Sequence, residues 1–153
     1  MWQKKSQVLI EFALIFPLFL LLVVGIIYFG SLFSDYMTLS SIARSSAREA
    51  SVITLTDSNN DNDRKKQYNT IRAKYEEQTL PLDILTWNPK STDDFDITYD
   101  STNKNVVVTM NASLNENGSM FAKVIDGLSN QTNGKDFKLN ITYTMVSEEN
   151  IKK

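Results

Sequence analysis

The sequence predicts an α+β protein. A long N-terminal helix, apolar enough in its first half to cross a membrane and amphipathic in its second, leads into a small antiparallel β-sheet domain. Three observations carry this reading. Between Glu11 and Asp35 lie 23 residues without a single charge. Leu39, Ala43, Ala47 and Ala50 then recur at spacings of three and four. Further on the apolar period becomes two, in Phe95, Ile97 and Tyr99, in Val106, Val108 and Met110, and in Phe137, Leu139, Ile141, Tyr143 and Met145.

At about 1.5 Å per residue the uncharged stretch makes a helix roughly 35 Å long, enough for a hydrocarbon core of about 30 Å. A single segment can span a bilayer only as a helix, because each backbone N–H and C=O must find its partner within the segment. A cleaved secretory signal would have an apolar run of only about 7–15 residues before a small-residue cut site; this run is far longer. Lys4 and Lys5 precede it, so the positive-inside rule keeps a short N-terminus in the cytoplasm and places the rest of the chain outside. Pro17 falls inside the span, where a bilayer tolerates it, usually as a kink. Gly25, Gly30 and Ser34 offer small surfaces, and Gly30 with Ser34 forms a small-xxx-small pair suited to close helix contact. Membrane helices are also simply richer in glycine than soluble ones.

Glu11 stands at the entrance to the apolar run and admits two readings. It marks the interface and reaches into the headgroups, or it has a cationic partner. Were the chain cut between Ser6 and Gln7, the new α-amino group would lie one helical turn, about 5.4 Å, from Glu11.

The ordered series Ser6-Gln7-Val8-Leu9-Ile10-Glu11-Phe12-Ala13-Leu14, then Phe16-Pro17-Leu18, then Gly25-Ile26-Ile27-Tyr28-Phe29-Gly30 resembles the TadE-like pseudopilins, minor pilins of the tight-adherence branch of the type IV pilus system. The likeness continues through Ile42-Ala43-Arg44 and Ala47-Arg48-Glu49-Ala50, about the first third of the chain. It implies the pilin architecture, a long helix half in the membrane and half on a globular head. It also implies cleavage at Ser6–Gln7 by a prepilin peptidase, with Glu11 and Phe12 as peptidase-recognition and subunit-docking residues. The partners would be the lipid bilayer, that peptidase, other pilins and the pilus assembly platform. The place would be the cytoplasmic membrane or a surface pilus. Two departures stand out. Ser6 occupies a position where the family usually has Gly, and Tyr28 a position that is often acidic.

From Asp35 the helix continues without a breaker to about Val52, its narrow Ala-rich stripe set apart from Arg44, Arg48 and Glu49. From Gln7 that makes a helix roughly 68 Å long. Residues 57–63 read as a solvated loop. Asp57, Asn59, Asp61 and Asp63 alternate as in a calcium loop, but Asn62 stands at the glycine position and Tyr68 at the closing glutamate position. Helical spacing returns over 64–78, with Tyr68, Ile71 and Tyr75 on one face and Leu80-Pro81 as the stop. A β-hairpin follows, turning at Asp100-Ser101-Thr102-Asn103, then a short helix or turn over 120–128, then the final strand. The segments are thus a leader at 1–6, a transmembrane helix at 7–34, its amphipathic continuation at 35–56 and an extracytoplasmic α+β domain at 57–153, expected to fold without metal or cofactor.

The chain has 153 residues, a net charge of −2, no Cys and no His. There is no basic field for nucleic acid, no disulfide, no His/Cys zinc site, no thiol nucleophile and no imidazole base. An enzyme would have to rely on carboxylates such as Asp93, Asp94, Asp96 and Asp100, and these flank the apolar positions of a strand as a solvated face would. Four Asn-x-Ser/Thr sequons, at Asn111, Asn117, Asn130 and Asn140, read as composition in an Asn-, Ser- and Thr-rich chain. The alternative to a pilin is a single-pass anchored binding module presenting a Thr/Asn sheet face outside the membrane.

Overall fold

Helix α1 runs unbroken from Trp2 to Ser51, with Pro17 inside it. The computed structural model describes residues 2–53, 61–82, 84–115 and 138–148, with side chains from residue 8 onward except at position 61. Over the first half of α1 the large apolar side chains point outward: Leu9, Phe12, Leu14 and Leu21 are all more than 60 % exposed. None of its most apolar 18-residue stretch is covered by the rest of the chain. A water-facing surface does not carry an apolar area of that size, which needs lipid or other helices around it.

From Asp35 onward the same helix is half buried. Leu39, Ile42, Ala43, Ala47 and Ala50 face inward at helical spacing, while Arg44 and Arg48 face solvent. Alanines at the contact let the helix lie close to what it covers. Ser46 shares the stripe, and its hydroxyl donates to the Ile42 carbonyl at 2.6 Å, so the polar atom is satisfied within the helix.

Helix α2 spans Asp61–Ala73, earlier at both ends than the sequence periodicity suggests. The loop expected over 57–63 gives way to helix from Asp61; Asp63 sits in the first turn, where the helix dipole favours a carboxylate. Residues 57–60 lie outside the described residues. At the other end Lys74, Tyr75 and Glu76 donate their N–H groups to carbonyls three residues back. The helix tightens into a 3₁₀-like turn before Leu80-Pro81 is reached. Tyr68 and Ile71 are buried and Tyr75 half-buried, as their common spacing requires.

The sheet comprises β1 (Leu85–Thr86), β2 (Phe95–Asp100), β3 (Asn105–Leu114) and β4 (Lys138–Val146), all pairs antiparallel. β3 is central: β2 and then β1 pair with it along one edge and β4 along the other. Phe95 pairs with Met110, Ile97 with Val108 and Tyr99 with Val106, the hairpin expected from the period of two. Lys104, in the turn, takes a φ of 53°. Strand β4 alternates as predicted, Ile141 inward and Lys138, Asn140, Thr142 and Thr144 outward. The short helix expected over 120–128, and Phe137, lie outside the described residues.

One cluster joins Leu39, Ala43, Ala47 and Ala50 of α1 to Tyr68 and Ile71 of α2 and to Phe95, Val106, Val108 and Met110 of the sheet. The core is therefore shared between the outer half of α1 and everything after it. Against the expectation of a self-contained domain at 57–153, removing α1 would uncover the sheet residues that it covers.

Candidate functional site

The residues that the sequence singles out are strung along α1. Ser6 and Gln7 lie in its first turns. Glu11 and Phe12 are exposed, and the Phe12 ring stacks on Phe16 at 5.3 Å between centroids. Beyond the helix's own neighbouring backbone, no atom of the described residues comes within 4 Å of where a side chain would begin at Gly25 or Gly30, so packing among the described residues does not require glycine there. Ser34 is half-buried, and its carbonyl accepts a hydrogen bond from the Thr38 hydroxyl. From Glu11 to Gly30 the axial distance is about 29 Å. These residues are distributed around a helix rather than gathered in a pocket, and the rest of the chain leaves its most apolar stretch uncovered.

The junction between the two halves of α1 holds what sequence reasoning missed. Asp35 is fully buried. One carboxylate oxygen accepts the backbone N–H of Leu82, the other those of Ile84 and Leu85, all at 3.2 Å. The segment leading into β1 is thereby fastened to the helix where the uncharged stretch ends. Ile84 in turn accepts the N–H of Asn115 at 2.8 Å, which ties that segment to the end of β3. The sequence did carry a signal: Asp35 lies four residues before Leu39, on the stripe that goes on to be buried. Its place as the first charge after the uncharged stretch hides that signal.

Further out, Lys74 forms an ion pair with Glu49 across the α1–α2 contact. The hydrogen bond that Lys74 donates to Glu49 holds its ammonium pKa above the ordinary value, and burial pushes that of the Tyr75 phenol up. The Arg64 guanidinium lies 3.6 Å from the centre of the Tyr99 ring, a cation–π contact between α2 and β2. Arg72 donates to the carbonyls of Pro89 and Lys90, holding the turn before β2 against α2.

Of the carboxylates that an enzyme would use, Asp94 and Asp100 hold turns. Asp94 accepts the N–H of Asn88 at 2.9 Å. Asp100 accepts from the Asn103 amide and from the backbone N–H groups of Asn103 and Thr102, and these bonds hold its carboxyl below the ordinary value. A glycosidase-type general acid needs the opposite shift. Asn111 and Asn140 sit within regular strands. The Asn140 side-chain nitrogen donates to Asn111, and that of Asn111 to the Asp93 carbonyl. The nitrogens that a glycan would modify are thus engaged in the sheet; Asn117 and Asn130 lie outside the described residues.

The architecture defines a class: an α+β head built onto the outer half of one continuous helix whose inner half is apolar and bare. Comparison with known families gives that helix its kind, since the family described as TadE-like protein matches residues 7–48. The matched stretch lies within α1, so the likeness is that of the helix. That family is structural rather than catalytic. No curated protein and no solved structure matches the chain.

Proposed function

We propose that the protein is a minor pilin or pseudopilin of a tight-adherence pilus, held in the cytoplasmic membrane by α1 with its head outside and processed between Ser6 and Gln7 by a prepilin peptidase. The observation that carries this reading is the bare apolar half of α1, TadE-like in sequence and continuous with the helix that supports the head. A plain anchor needs only length and hydrophobicity. Here Gln7, Glu11, Pro17, Gly25 and Gly30 sit in an ordered spacing, and the glycines answer to no side-chain contact among the described residues. In this reading Glu11 receives the amino terminus freed by cleavage, on its own subunit or on a neighbour. Phe12 contributes to peptidase recognition, and Gly25, Gly30 and Ser34 admit a second helix.

The test is the N-terminus and its partner. Mass spectrometry of protein extracted from membranes with an active prepilin peptidase should find chains beginning at Gln7. Ser6→Gly should be processed at least as well and Ser6→Leu poorly. Glu11→Gln should still insert but fail to assemble, because removing one member of a buried ion pair costs about 3–5 kcal/mol. Chains that keep Met1, together with full assembly of Glu11→Gln, would refute the pilin reading.

A further inference from the structure

A second membrane contact is built into the head. We propose that the loop carrying Leu82, fastened to α1 by Asp35, rests in the interfacial layer of the bilayer and holds the head against the lipid surface. The proposal relies on the reading that α1 spans the membrane.

The level of the loop follows from distances. Asp35 stands 24 residues past Glu11, about 36 Å along the axis, against a hydrocarbon core of about 30 Å and about 40–45 Å with the headgroups. Asp35 therefore leaves the hydrocarbon and enters the headgroup layer. The Leu82 N–H is bonded to the Asp35 carboxylate at 3.2 Å, which puts Leu82 at the same depth. Leu82 turns its side chain outward, 45 % exposed, although Ile84 and Leu85 just after it are fully buried. On the opposite face of α1, Phe33, Tyr36 and Met37 recur at helical spacing and are also exposed, with the Phe33 and Tyr36 rings 6.1 Å apart. Together they form an apolar collar around the helix, continuous with the bare span below it.

A lone exposed leucine on a soluble surface needs no explanation. This one lies at the end of a membrane-length helix, level with a tyrosine at the depth where amphipathic rings gather. The fitting occupant is the headgroup–acyl boundary of a bilayer. Asp35 has a reason to be buried here, since it satisfies three backbone donors of a segment that would otherwise meet lipid with N–H groups unpaired.

The chain has no cysteine, so single-cysteine variants give clean probe sites. Full-length Leu82→Cys, Leu20→Cys and Ser101→Cys would each be labelled with an environment-sensitive fluorophore and reconstituted in phosphatidylcholine vesicles. Separate samples would carry bromine at shallow or deep acyl positions. The label at residue 20 should lose most of its emission to deep bromines and the label at 101 almost none. The label at 82 should be blue-shifted and lose most of its emission to shallow bromines. Quenching at 20 with an unquenched, iodide-accessible label at 82 would overturn the loop proposal and leave the span intact. A label at 82 shielded from both bromine and iodide would mean that another protein copy covers the loop, and would also overturn it. Loss of quenching at both 20 and 82 would refute the spanning reading itself.

Discussion

Asp35 shows how one side chain can decide where the bare half of a helix ends and the half that belongs to the head begins. Two of its three accepted hydrogen bonds come from Ile84 and Leu85, which are buried with it, and the third from the part-buried N–H of Leu82. Asp35→Ala would leave those donors without an acceptor, and hydrogen bonds to charged groups contribute about 1.5–3 kcal/mol each. The expected loss is at least about 3 kcal/mol after allowing for relaxation, with Asp35→Asn intermediate because one oxygen remains. Chemical denaturation of the detergent-solubilised protein, followed through the half-buried Trp87, would measure it. A change within about 0.5 kcal/mol, the range of ordinary surface substitutions, would show that the carboxylate is dispensable. Glu11, by contrast, draws its proposed importance from other molecules and should leave the head's stability unchanged.

Among the elements, legibility followed periodicity and length. The hairpin of β2 and β3 and the alternation of β4 could be read directly, because Phe95, Ile97, Val106, Val108 and Ile141 fall on one face at a period of two. The stripe Leu39, Ala43, Ala47 and Ala50 was equally plain. β1 was not, for two residues have no period; its pairing is made by Asp35 and by the end of β3. The bounds of α2 moved because a turn-rich Asp/Asn run can also start a helix, and because its last turn tightened before the proline. Of the candidate site, the span and its small residues were legible as spacing. The grip of Asp35 was not, since it links residues 47 to 50 positions apart in sequence. The stripe makes its own prediction. Ala47 is completely enclosed where α1 meets the sheet, so Ala47→Leu should destabilise the head by about 1–3 kcal/mol through overpacking. Ala13→Leu, in the bare half, should cost nothing measurable in the same denaturation experiment.

At the scale of the whole molecule, the shared core sets where the protein can be divided. A fragment beginning at residue 57 lacks Asp35 and the entire α1 contribution to the hydrophobic cluster, and should show no cooperative thermal transition by circular dichroism. A fragment beginning at residue 32 keeps Leu32, which packs against that cluster, and should melt cooperatively. Two-state melting of the shorter fragment would show that the sheet and α2 suffice. The continuity of α1 has one more consequence. An α-helix advances about 1.5 Å and turns about 100° with each residue, and between the span and the head there is no loop to absorb a change. One residue inserted after Leu22 would swing the head about 100° around the axis, whereas four would bring it back to within about 40° of its first heading and raise it by about 6 Å. Span and head thus share one rotational phase. In any array where spans interlock, the length of the apolar stretch sets which side of each head its neighbour meets, so it acts as a gear tooth as much as an anchor.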